Sequence, residues 1–110
     1  MEKFKFIKTE LMKKMAFAKI KTLDCGLTLV VNSKENPHLF TPHFHLFKGD
    51  TNIGEVFVDG EKSILNKNCQ RYYKDFQQVQ QYVNNNKELF TKIYFTKDGT
   101  KRKELAKRLP

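Results

Sequence analysis

Three histidines, His38, His43 and His45, fall within an eight-residue stretch, and imidazole is the side chain best suited to metal ligation or proton transfer near neutral pH. In a strand, side chains two apart project to the same face, so His43 and His45 point together. The loop before them, broken by Pro37 and Pro42, can fold His38 back toward the pair. Three imidazoles with an open coordination position are one recipe for a divalent transition metal that binds or activates a substrate. A metal-dependent nuclease or hydrolase is therefore the enzyme reading of this stretch, with Asp50, Asp59 or Cys69 as further ligands where the fold brings one close. The same residues have a second use. Histidines beside Phe44 and Phe47 on an exposed sheet, flanked by lysines, can stack bases and contact phosphates as single-strand binders do. A third reading places the phenylalanines in the core and leaves the histidines on the opposite face, because a domain this small needs its large apolar side chains inside. No Gly-rich phosphate loop, Ser-His-Asp set or paired-carboxylate motif is present, so no catalytic residue and no organic cofactor is read from the chain. Glu55, Asp59 and Glu61 alternate as solvated strand positions do. Cys25 and Cys69 lie far apart without CxxC spacing and read as free thiols of a reducing compartment.

The second chemistry-bearing feature is charge. Residues 1–23 hold seven lysines against two glutamates, residues 97–110 hold six Lys or Arg against one Asp and one Glu, and residues 24–96 hold eight of each sign. The net charge of +9 therefore resides in the two ends. Clustered Lys and Arg replace counterions around phosphates, which points to nucleic acid as a partner. Lys13, Lys14, Lys19 and Lys21 from the front, with Lys101, Arg102, Lys103, Lys107 and Arg108 from the back, are the contacting residues on this reading. The competing reading is that these are solvated faces that keep the chain soluble.

The elements that must position these residues follow from periodicity. At 110 residues and 39% hydrophobic composition the chain can bury one modest core, and ten Phe with four Tyr argue for a folded domain. Phe4, Ile7, Leu11 and Met15 recur at spacings of three and four with lysines between them, which fits a short amphipathic N-terminal helix; alternation of Phe4 and Phe6 with lysine makes a strand the competing reading. From residue 16 the pattern becomes a β-meander. Two strands join near Asp24, Cys25 and Gly26, and a polar loop spans Asn32 to Thr41. A strand over His43–Phe47 then turns at Gly49–Asn52 into Ile53–Val58, and Asp59-Gly60 suits a type I′ hairpin into Glu61–Leu65. Tyr72, Phe76, Val79, Val83 and Phe90 then share one face of a helix whose other face carries Gln and Asn. The triple Asn84-Asn85-Asn86 invites a break, and a single continuous helix is preferred. The expectation is an α+β fold in which a curled antiparallel meander of four to five strands packs on one long C-terminal amphipathic helix. One domain spans 1–110, divided into a basic N-terminal segment (1–15), sheet (16–66), helix (69–93) and a basic tail (97–110) that forms a short strand or helix with a mobile tip. The longest aliphatic run, Leu27–Val31, is far short of the roughly 20 residues a bilayer requires, and the N-terminus has no continuous apolar signal region. No membrane association and a cytoplasmic location are expected.

The order Gly26-Leu27-Thr28-Leu29-Val30-Val31, a polar loop with Pro37, then Pro42-His43-Phe44-His45, a short meander and a helix ending near Lys87-Glu88-Leu89-Phe90 resembles a small bacterial family of unknown function with a Pro-Pro-His-Phe-His signature, often encoded in toxin-antitoxin-like gene pairs. The likeness covers residues 26–94. Thr41 stands where the signature has its first proline, Tyr82 where the family's helix has Trp, and both basic ends lie outside the common region. The resemblance implies a cytosolic protein of a bacterium or its mobile elements that works with a partner. The leading functional expectation is a small non-enzymatic binding or regulatory protein of a toxin-antitoxin-like or phage-borne system, contacting nucleic acid through its basic ends. Its alternatives are the His-cluster metalloenzyme and a protein-protein interaction module that inhibits a host or phage enzyme, steered by charge toward an acidic partner.

Overall fold

A computed structural model describes residues 17–32 and 41–110. The expected N-terminal helix, together with Lys13, Lys14 and His38, lies outside the described residues. Strand β1 (Phe17–Thr22) and strand β2 (Leu27–Asn32) are joined where the turn residues predicted it. Gly26 has φ 89°, a left-handed conformation that a Cβ would oppose, and its N–H closes the turn on the Leu23 carbonyl at 2.9 Å. Strand β3 (His43–Lys48) and strand β4 (Thr51–Phe57) enclose a tight turn with Gly49 at φ 59°, and strand β5 is the pair Ile64–Leu65. All neighbours are antiparallel in the order β1-β2-β3-β4-β5.

The meander is as expected, but the sheet is flat and open, not curled. β1 and β5 lie at opposite edges with no ladder between them, and β5 has only two residues, so nothing draws the edges together. The short return strand has a local cause. Asp59-Gly60 does not form a hairpin turn: Asp59 is extended at φ −85°, and Gly60–Lys62 makes a single 3-10 turn. The Ser63 hydroxyl then accepts from the Phe57 N–H, while Gln80 Nε2 donates to the Phe57 carbonyl at 3.0 Å. Two side chains thus satisfy the backbone groups that a longer β5 would have paired. β5 also needs Gly54, since a Cβ there would collide with the Ile64 carbonyl.

In place of the single long C-terminal helix there are three separate ones, two over the expected 69–93 and a third in the tail. A 3-10 segment, Lys67–Tyr72, leads into α1 (Tyr73–Asn85), which is followed by α2 (Lys87–Phe95) and α3 (Gly99–Ala106). Continued without interruption, the stripe Phe76, Val79, Val83, Phe90 and Ile93 would carry Asn86 or Lys87 at its central core position. A polar group cannot be buried there without partners. Asn86 instead leaves the helical region at φ −123°, ψ 33°, and its side chain donates to the Tyr82 carbonyl at 2.9 Å, closing the end of α1. The tail is likewise docked: α3 is helical, Leu109 is buried in the core, and Tyr82 Oη donates to the Pro110 carbonyl at 2.8 Å.

All three helices serve one sheet face. Leu27, Leu29, Phe44, Leu46 and Val56 meet Val79, Val83, Phe90 and Ile93 in one core cluster, each of them 0% exposed, and each such side chain is worth roughly 1.5–3 kcal/mol on burial. The opposite face carries Phe17, Val30, His43, His45, Phe47 and Phe57, of which Val30, His43 and Phe47 are buried. No helix among the described residues is long and apolar enough to cross a membrane.

Candidate functional site

The expected pairing of His43 with His45 holds: both lie on one face of β3, with ring centroids 5.5 Å apart and planes at 76°. Their surroundings are aromatic. His43 stacks on its cross-strand neighbour Phe57 at 5.1 Å and its Nδ1 donates to the Thr41 carbonyl at 2.9 Å, which fixes that tautomer. His45 meets the edge of Phe17 at 5.1 Å, and its Nδ1 lies 3.8 Å from Glu55 Oε1. Among the described residues no three His, Cys, Asp or Glu side chains come together as a metal-holding group. Asp50, Asp59 and Cys69 therefore do not complete a set with the two described histidines.

The described part of the front segment, by contrast, meets the basic tail. α3 packs against β1, and a cavity of about 440 Å³ opens between them, lined by Ala18, Lys19 and Ile20 from the strand and Gly99, Arg102, Lys103, Ala106 and Lys107 from the helix. The helical lining positions recur at spacings of three and one, which is a single face of an α-helix. Of the three strand residues, Ala18, paired with Val31, and Ile20 lie on the helix-covered face, whereas Lys19, paired with Val30, belongs to the opposite face and borders the cavity from the sheet edge. The register skips between Lys19 and Lys21, paired with Leu29, and such a bulge re-aims the side chains of Ile20 and Lys21.

At the base of this groove Arg102 is only 6% exposed. Its Nε and Nη2 both donate to the Thr96 carbonyl, at 3.0 and 2.6 Å, tying α3 to the end of α2. Burial pulls its pKa below the usual arginine value, yet a guanidinium stays protonated at any pH a protein meets. Among the described residues no Lys or Arg lies within ion-pair distance of a carboxylate, the one close approach to a carboxylate being that of His45 to Glu55, so no described carboxylate neutralises Arg102, Lys19, Lys103 or Lys107. Asp98, just before the stripe, is engaged elsewhere: its Oδ1 accepts from the backbone N–H groups of Lys101 and Thr100.

The other expected phosphate contacts separate from this cluster. Lys101 and Arg108 are exposed but do not line the groove. Lys21 borders a second cavity of about 280 Å³ with Asp24, Gln78, Tyr82 and Pro110. The sequence reading placed Arg102 among surface cations and missed its burial. The helical recurrence of Gly99, Arg102, Lys103, Ala106 and Lys107 was the signal that could have singled it out. Comparison of the chain with protein-family models, curated proteins and solved structures finds no match.

Proposed function

We propose that this chain is a non-enzymatic binding protein that holds the phosphate backbone of a nucleic acid in the groove between β1 and α3. The observation that carries this reading is Arg102, a buried cation whose described partner is one neutral carbonyl, facing a cavity rimmed by Lys19, Lys103 and Lys107. Removing a charge from water without a counter-charge is costly, and an anion entering the groove offsets that cost. Several cations along one groove suit a repeating anion better than a single carboxylate, and the guanidinium fork matches phosphate geometry. The likeness around Pro42-His43-Phe44-His45 supports a cytosolic setting in a toxin-antitoxin-like or phage-borne system.

The test is fluorescence anisotropy of a labelled 12-nucleotide single strand across a salt series. With three to four cations on phosphates, the logarithm of the association constant should fall against the logarithm of salt concentration with a slope of about −2 to −3. A protein that binds no oligonucleotide even at the lowest salt does not have this function.

A further inference from the structure

The groove has a property that charge alone does not require. Beside Arg102, the less exposed part of its lining is apolar: Ile20 is buried and Ala18 and Ala106 are half-buried, while the lysines are exposed. Phosphates gain nothing from alkyl side chains, so a site for backbone alone would leave this apolar part unused. A duplex turns its phosphates outward and keeps its base faces stacked inside, whereas an unpaired strand can offer a base face to a protein surface. About 440 Å³ lies toward the small end of ligand pockets, roughly 300–1,000 Å³, and suits one nucleotide.

Arg102 adds the orientation. Two of the five guanidinium N–H groups are committed to the Thr96 carbonyl, so the plane is fixed before any ligand arrives. A held guanidinium both stacks on bases and donates to phosphate. Lys103 and Lys107, one helical turn apart, stand about 6 Å from each other along the rim.

We infer that the β1–α3 groove accepts a single unpaired nucleotide, its base lodged on Ala18, Ile20 and Ala106 against Arg102 and its phosphates at Lys103 and Lys107, so that the protein selects single strands over duplexes. This rests on the nucleic-acid reading above and narrows it.

The experiment compares three 12-mers on the full chain: a normal single strand, its duplex, and a single strand of abasic sites with the same phosphates. The normal strand should bind at least tenfold tighter than the other two. Ala106→Leu, which fills the apolar part of the groove without altering charge, should weaken the normal strand about tenfold and leave the abasic strand unchanged. Should that variant unfold, the wild-type protein supplies an independent readout. Adenosine monophosphate should shift the methyl resonances of Ala18, Ile20 and Ala106 by ring current, and ribose 5-phosphate should not. Equal affinity for the three oligonucleotides, or methyl resonances indifferent to the base, overturns the inference while leaving backbone binding intact. Absence of binding to all three oligonucleotides removes the nucleic-acid reading as well.

Discussion

Asp98 shows how one side chain sets the geometry of a wall of the groove. It occupies the N-cap of α3, and its Oδ1 accepts from the N–H groups of Thr100 at 2.9 Å and Lys101 at 3.1 Å, two donors that the helix cannot satisfy internally. These bonds, the one from Lys101 first, hold its carboxyl below the usual carboxylate range. A carboxyl whose folded pKa is depressed contributes stability above its unfolded pKa and loses it as pH falls through the folded value. Acidification below the ordinary carboxylate range should therefore loosen α3 while the sheet stays formed. Amide exchange of Lys101 and Arg102, followed downward from neutral pH, is the measurement. Asp98→Asn keeps a capping oxygen but cannot titrate, so it should flatten the acid dependence; an unchanged profile in that variant would assign the transition to another group. The Asp98-Gly99 pair fits a turn as readily as a cap, because the charged run after it suits a short strand or a helix alike. For Arg102 the helical spacing marks a face but not its destination, since its partner, Thr96, belongs to the end of a different helix.

Among the elements, the hairpin meander was readable because its signals are local: alternating side chains, and a glycine where the chain must turn at Gly26 and Gly49. Helix continuity is a different problem. Phe76, Val79, Val83, Phe90 and Ile93 fall on one stripe whether or not the helix breaks, so apolar periodicity cannot distinguish the two arrangements. The polar residue at the seam decides it. Asn86 accepts the Phe90 N–H with its carbonyl at 3.0 Å and spends its amide on the Tyr82 carbonyl, serving the end of α1 and the start of α2 together. Asn86→Ala removes the side-chain bond and leaves the Tyr82 carbonyl without that donor, which should cost about 1 kcal/mol. Urea unfolding monitored by tyrosine fluorescence and by circular dichroism will show it as a lower midpoint at unchanged slope. An unaltered midpoint would mean that packing of Val83 and Phe90 alone holds the break.

For the molecule as a whole, the sequence showed two basic ends around a neutral body but not where those ends lie. A meander that begins at one sheet edge and a chain that finishes in a helix have no local reason to meet. They meet because Leu109 is drawn into the core and Arg102 into the joint with α2, which swings the stripe of α3 onto β1. Only part of the charge participates, and this separates two explanations of any affinity for polyanions. If net charge governs, every lysine or arginine counts alike; if the groove governs, position counts. Two double reversals lower the net charge of +9 by the same amount. Lys103→Glu with Lys107→Glu strikes the groove rim, and Lys101→Glu with Arg108→Glu strikes exposed positions outside it. At equal ionic strength the groove pair should lose at least tenfold more affinity for a single strand than the outer pair, and its salt slope should fall by about 1.4, the share of two phosphate contacts. Equal losses in the two variants would make the meeting of β1 with α3 incidental, and the protein would then attract nucleic acid as any basic body of its charge does.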